Sequence, residues 1–415
     1  MLTNRLNFLT AGESHGPVLM AILEGLPAGL PLDSAIIDRD LARRQQGYGA
    51  GPRMKMERDH AEILGGVMAG LTIGAPLALQ IANLNHEKWR GKEVEAFTTP
   101  RPGHADLTGA VKYRYRDLRP SLERASARET AARVAVGAVC KHLLAQFGIQ
   151  VFGYVTSIGE VEPDLNAIPL EKRGSLAEEN EVRCPDPASA EAMVTRIRQI
   201  MEARDTLGGI IEVVALNLPV GLGSHVHWER KLEARLGAAV LGVQAFKGVE
   251  FGPAFANTRQ PGTQVHDAIR LSGTRIGTDS TDFNKKMPVN PCESASRKIS
   301  RPTNRAGGLE GGITTGQPLI VRAAMKPIAT TLTPQQTVDL ATGQETPTVY
   351  ERSDFCPVPR AVPIIEGVVA YILADALLEK LGGDSLDEMK PRFEALRQAR
   401  LEDLTMEGGV HVWWE

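Results

Sequence analysis

Three short pieces of sequence occur twice in this 415-residue chain, in nearly the same order, and that echo narrows the folds open to it. Leu26-Pro27-Ala28-Gly29-Leu30 ends an apolar run ahead of a helical pattern at 34–44. Leu218-Pro219-Val220-Gly221-Leu222 does the same ahead of a helical pattern at 228–241. Thr72-Ile73-Gly74-Ala75-Pro76-Leu77 and Thr314-Thr315-Gly316-Gln317-Pro318-Leu319 each open a strand-like run. Glu123-Arg124-Ala125-Ser126 and Glu351-Arg352-Ser353-Asp354 each precede an apolar helical segment. Short matches that keep a common order predict an internally duplicated architecture, with halves of about 1–205 and 206–415. No Gly/Ser-rich or Pro-rich linker divides them, so the expectation is one domain over 1–415 with a shared core. Strand-like runs at 210–216 and 319–324 alternate with helical patterns at 189–201 and 364–381, which makes the class α+β. A cleft is expected where the paired loops of Arg124 and Arg352 converge.

The charge balance excludes some partners. Lys and Arg number 47 against 50 Asp and Glu, a net charge of −3, so there is no global basic field of the kind that drives nucleic-acid binding. Any polyanion site must come from local clustering. The first ten residues carry no signal-peptide core. The longest apolar stretch, 361–378, is interrupted by Glu366, Gly367 and Asp375, which argues against a membrane span. Cys140, Cys184, Cys292 and Cys356 are far apart with no C-x-x-C pair, so neither a metal site nor a disulfide framework is expected, and reduced, buried thiols in a cytoplasmic protein are.

Cations concentrate in two segments. Arg101, Lys112, Arg114, Arg116, Arg119, Arg124, Arg128 and Arg133 outnumber the acids among them, Asp106, Asp117, Glu123 and Glu129. Within this segment Ser126-Ala127-Arg128-Glu129 reads as a capping box, with Glu129 returning to the cap amide, before a helix that Gly148 stops. A helix N-terminus beside two arginines is a ready anion site. Arg43, Arg44, Arg53, Lys55 and Arg58 form the second segment, and the guanidinium fork suits carboxylate and phosphate. Tyr48, Tyr113 and Tyr115 among these cations make single-stranded nucleic acid a rival ligand. The short, separated clusters and the negative net charge weigh against it. The polar, cation-dotted stretch 273–312 reads as a loop that closes over a ligand or as a solvated insertion.

Two histidines sit in turns that hold them. His15 lies in Gly12-Glu13-Ser14-His15-Gly16, and His104 lies in Arg101-Pro102-Gly103-His104-Ala105-Asp106, where Asp106 can orient the imidazole. There is no Walker loop, no Gly-x-Gly-x-x-Gly after a strand and no Gly-x-Ser-x-Gly elbow, so ATPase, Rossmann dehydrogenase and serine hydrolase readings lack support.

Taken with Glu123-Arg124-Ala125-Ser126-Ala127-Arg128-Glu129-Thr130, Gly311-Gly312-Ile313, Lys326-Pro327 and Arg352-Ser353-Asp354, these motifs resemble the chorismate synthase family over nearly the whole chain. The resemblance implies a β-α-β sandwich with pseudo-two-fold halves and a carbon–oxygen lyase. Its reaction would be trans-1,4-elimination of phosphate from 5-enolpyruvylshikimate 3-phosphate to give chorismate, with reduced FMN required. It further implies a homotetramer, with NADPH or an external flavin reductase as the source of reduced flavin. By the same resemblance His15 protonates the departing phosphate, His104 protonates the reduced flavin, and Asp354 helps remove the ring proton. Arg44, Arg53 and Arg128 clamp substrate anions. Flavin contacts fall on Arg124, Ala125, Ser126, Gln244, Ala245, Gly311, Lys326, Pro327, Ile328, Ala329, Thr330 and Arg352. The chain departs from the family at Ala50, where an arginine is common, and at Ile328 and Ala329, where hydroxyl residues are common.

Overall fold

The computed structural model describes residues 5–49, 58–271, 298–350, 354–404 and 406–414. One element order, strand-strand-helix-strand-strand-helix, runs through the chain twice. The first set is Asn7–Ala11 (β1), Val18–Glu24 (β2), Ser34–Gln45 (α1), Ala61–Gly65 (β3), Leu77–Ala82 (β4) and Thr130–Ala145 (α2). The second is Gln150–Ile158 (β5), Gly209–Leu216 (β6), Leu232–Leu241 (α3), Phe246–Phe251 (β7), Leu319–Met325 (β8) and Val358–Leu381 (α4). Each set builds an antiparallel four-stranded sheet in the same spatial order, β1-β2-β4-β3 and β5-β6-β8-β7. The internal duplication expected from the echo is therefore present in the topology.

The repeated motifs occupy equivalent places because they make the same bracket. Thr72 Oγ1 donates to the Pro27 carbonyl (2.6 Å) and accepts from the Leu30 amide (2.9 Å). Thr314 Oγ1 donates to the Pro219 carbonyl (2.6 Å) and accepts from the Leu222 amide (2.9 Å). Gly29 (φ 85°) and Gly221 (φ 97°) sit inside the two turns in the left-handed region that favours glycine. Each threonine hydroxyl satisfies one backbone donor and one backbone acceptor that would otherwise be orphaned. Thr72→Val and Thr314→Val should each cost about 1–3 kcal/mol in urea unfolding, with similar values because the brackets match. Equal stability of both variants with the parent would show that the brackets contribute nothing, and a large difference between the two variants would contradict their equivalence.

Alternation along the strands sends Leu19, Ala21 and Leu23 of β2, and Ile211, Val213 and Ala215 of β6, into one core shared with the helices. Helix α2 packs on β2 and β4, and α4 packs on β5 and β6. The two helices meet at Gly137 and Gly367, where a Cβ on Gly137 would lie 2.2 Å from the Gly367 Cα, so that crossing requires a residue without a side chain. Helix α4 is long and apolar enough to cross a membrane, yet nearly all of it is buried as the central core helix. Cys140, Cys184 and Cys356 are free and buried; Cys292 lies outside the described residues.

Three local expectations change. Ser126 Oγ does accept from an amide, that of Arg128 (3.3 Å), but Glu129 does not return to the cap. Its carboxylate is taken by Thr10 (2.6 Å) and Arg133 (3.0 Å), so residues 127–129 form a 3-10 turn and the α-helix begins at Thr130. The 228–241 helical pattern divides into a 3-10 turn, Trp228–Arg230, and α3. In the 273–312 stretch, Ile299–Ser300 pairs with Arg270–Leu271, and Leu309–Glu310 forms a hairpin with Ile313–Thr314. Two-residue strands are too short to leave a periodic signal. Residues 272–297 lie outside those described.

Candidate active site

The short connection Gly12–Pro17 between β1 and β2 carries His15. Its Nδ1 lies 2.8 Å from Glu123 Oε1, and its backbone amide donates to Glu123 Oε2 at 2.8 Å. The imidazole packs on Trp89, with ring centroids 4.4 Å apart, and His86 Nδ1 donates to the His15 carbonyl (2.9 Å). Ser126 Oγ meets Ser14 Oγ at 3.1 Å. Burial opposes ionisation of Glu123, but the two hydrogen bonds from His15 outweigh it and hold the carboxyl below its ordinary range.

Asn83, at the end of β4, joins this turn to the buried cations. Its Nδ2 donates to the carbonyls of Glu13 (3.1 Å) and Gly16 (2.8 Å), and its Oδ1 accepts from Arg128 Nε (2.8 Å). Arg128 NH1 grips both Asp59 oxygens at 2.8 and 2.7 Å. Arg44, 1% exposed on α1, donates through Nε to Thr130 Oγ1 (3.0 Å) and through NH2 to the Ala127 carbonyl (2.9 Å). Its NH1 is buried with no hydrogen-bond partner among the described residues, 3.6 Å from Asp59. Burial, then the nearby Arg360 charge, push the Arg44 guanidinium down to about 9, against the pull of Asp59 and Asp354. Asp354 itself is paired with Arg360 of α4.

His104 repeats the carboxylate–imidazole arrangement. Its Nδ1 lies 2.6 Å from Asp106 Oδ1, and Arg101 NH2 stands 3.3 Å from its Nε2. Asp106 is fully buried at the start of the helix Asp106–Tyr113; burial is outweighed by bonds from His104 and Arg101, which keep the carboxyl well below its ordinary range. The 326–330 loop closes on this turn: Lys326 Nζ donates to the Gly103 carbonyl (2.9 Å), and Arg101 NH1 to Thr330 Oγ1 (3.2 Å). The Ile328 carbonyl accepts from Thr206 (2.9 Å), and Ala329 lies against Gly103. Pro327 passes close to Gly208.

A continuous path of contacts links the two histidine turns. From Lys326 the amide donates to the Ala245 carbonyl (3.0 Å), Gln244 Nε2 reaches Glu129 (3.4 Å), and Glu129 accepts from Thr10. Arg124 NH2 then donates to the Thr10 carbonyl (3.0 Å) and NH1 to Gly12 (3.1 Å), while Ala125 and Ser126 continue from it. Gly311 turns the 309–314 hairpin, whose contacts run to Gly223 and Leu232 rather than to this path. Arg53 and Arg352 lie outside the described residues, so the expected convergence of the Arg124 and Arg352 loops does too. Among the described residues, no group of three or more His, Cys, Asp and Glu is arranged to hold a metal.

The chorismate synthase family model matches residues 6–378. The chain belongs to the chorismate synthase family. A chorismate synthase of Trichlorobacter lovleyi is 50% identical over 394 residues, covering 93% of this chain and 97% of that one. One of Geobacter sulfurreducens is 49% identical, covering 94% and 98%. A crystal structure titled as chorismate synthase superposes with a TM-score of 0.73 at 43% identity, covering 94% of this chain and 96% of that one. The chain is thus a lyase of this family, and its α+β architecture is the family's.

Sequence reasoning had no role for Asn83, Asp59, Trp89 or Arg360. Each meets its site partners only in three dimensions, except Arg360, which carries no motif of its own. Glu123 stood inside a quoted motif, but its pairing with His15 spans 108 residues.

Proposed function

We propose that the chain eliminates phosphate from 5-enolpyruvylshikimate 3-phosphate in the trans-1,4 sense, giving chorismate, with reduced FMN bound beside the substrate. The observation that carries this reading is the buried Arg44 NH1, which has no hydrogen bond among the described residues and only a 3.6 Å ion pair with Asp59, and which is joined through Asp59, Arg128 and Asn83 to the turn of His15. An unsatisfied guanidinium nitrogen in a desolvated place calls for an anion, and a histidine held nearby supplies the proton that a departing phosphate needs. Arg44 and Arg53 take substrate anions directly. Arg128, gripped by Asp59, braces the arrangement and adds field. Asp354, positioned by Arg360, helps remove the ring proton.

The residues present fit a flavin. Gln244 Oε1 is buried with no hydrogen-bond partner among the described residues, an acceptor suited to a ring imide N–H, and it adjoins Ala245, which adopts φ 69°. Arg124, Ser126, Lys326 to Thr330 and Arg352 would complete the contacts, with cations for the phosphate and for the anionic ring. Reduced FMN, when bound, supplies an electron-rich ring that supports C–O cleavage without net redox change. His104, fixed by Asp106, holds a proton next to that ring.

The reading extends to a homotetramer in the cytoplasm, each chain one domain, and to reduction of the flavin by a separate reductase or NADPH. Anaerobic incubation with dithionite-reduced FMN and the shikimate ester tests it: equal amounts of chorismate and phosphate are expected. No product, with salt-sensitive binding of RNA instead, would sink it.

Arg44→Gln separates binding from folding. Losing a charged hydrogen bond should raise KM by roughly 10- to 150-fold, from about 1.5–3 kcal/mol. The thermal midpoint should hold or rise, because an under-satisfied buried cation is removed. Unchanged KM with a lowered midpoint would make Arg44 structural.

A further inference from the structure

We propose that Glu123 is the positioning residue for His15, fixing through its two oxygens which imidazole nitrogen exchanges the working proton; this rests on the reading of His15 as the acid. A carboxylate only accepts hydrogen bonds, so the 2.8 Å contact places a proton on His15 Nδ1 and directs proton exchange to Nε2. The second oxygen, 2.8 Å from the His15 amide, ties the backbone of the same residue to the same carboxylate. Ring and main chain are thus clamped by one side chain, while Trp89 packs against the imidazole and limits its rotation.

The helix Arg119–Ala125 that carries Glu123 is itself anchored to the histidine's turn. The Ser14 amide donates to the Glu123 carbonyl (3.2 Å), and Arg124 NH1 donates to the Gly12 carbonyl (3.1 Å). Among the described residues, other charged or titratable groups around His15 include Glu13 in its own turn, His86 at its carbonyl, Arg119 over Trp89, and Arg128 behind Asn83. Glu123 bonds the imidazole itself, at Nδ1. His104 with Asp106 is built alike, so each candidate acid has its own carboxylate.

Glutamine tests the idea sharply, because it has one acceptor and one donor where the site presents two donors, the Nδ1–H and the backbone N–H. One of the two bonds must fail or the imidazole tautomer must change. Aspartate keeps both acceptors on a shorter stem. In Glu123→Gln, kcat should fall about 10- to 100-fold, the range seen when a carboxylate behind a functional histidine is lost. KM should stay near that of the parent. Glu123→Asp should recover part of the lost kcat. Long-range proton–nitrogen NMR of His15, read without turnover, should show Nδ1–H in the parent and its loss in the glutamine variant. An unaltered His15 tautomer in Glu123→Gln would overturn the proposal. Altered His15 resonances with parental kcat would instead overturn the role of His15 as the acid, and with it the working role of the clamp.

Discussion

His15→Asn should lower kcat by about 10²–10⁴-fold, the range for a lost general acid. The turn that holds residue 15 does not depend on the imidazole. Its main chain is pinned by Asn83 at Glu13 and Gly16, by His86 at the His15 carbonyl, and by the Ser14 amide on the Glu123 carbonyl. Substrate binding and thermal midpoint should therefore stay close to the parent, and the loss should appear in kcat. Single-turnover measurement of phosphate release under anaerobic conditions reads the chemical step directly. Parental kcat in this variant would remove His15 from the mechanism whatever the fate of the other assignments.

Glu366→Gln should destabilise the fold by about 3–5 kcal/mol, the cost of removing one partner from a buried ionic cluster. Glu366 is fully buried on α4 and accepts from Arg43 (2.6 and 2.8 Å), from Lys141 (2.6 Å) and from the Gly153 amide (2.8 Å). Asp40 shares the same two cations, at 3.1 Å from Arg43 and 3.0 Å from Lys141. Glu178 also holds Arg43 (2.6 Å) and pairs with Arg183 (3.2 Å), so three acids meet three bases at a junction of α1, α2, α4 and β5. The cluster spans both halves of the duplication, and glutamine leaves it one negative charge short at its buried centre. Urea unfolding measures the effect, and a loss under 1 kcal/mol would show that the cluster is not needed.

The pH dependence follows from the same geometry. Burial disfavours the Glu366 carboxylate, but Arg43 and Lys141 outweigh burial and hold the group well below the ordinary carboxyl value of 4.5. A carboxyl depressed in the folded state stabilises it above the unfolded pKa and loses that contribution as pH falls. The parent should therefore lose stability below about pH 4.5 more steeply than Glu366→Gln. Parallel acid limbs would assign the slope to other carboxyls.

The doubled architecture was legible because its marks are local. A threonine that must bracket a Pro-x-Gly-Leu turn, and a glycine that must take a positive φ inside that turn, leave fixed letters at both places. The pairing of His104 with Asp106 was legible for the same reason, since two residues of separation suffice. The capping box was misread at Glu129 because Thr10 and Arg133 compete for its carboxylate, and Thr10 is remote in sequence.

Local chemistry therefore settled which turns and helices this chain forms, since backbone conformation and short-range hydrogen bonds act through neighbouring residues. Only the tertiary structure decided that Glu123 serves His15, that Asn83 joins that turn to Arg128, and that Arg44 keeps a buried nitrogen unmatched. Those outcomes depend on the electrostatics of burial and on which distant groups the packed sheets and helices bring within bonding distance, and no run of adjacent residues encodes either.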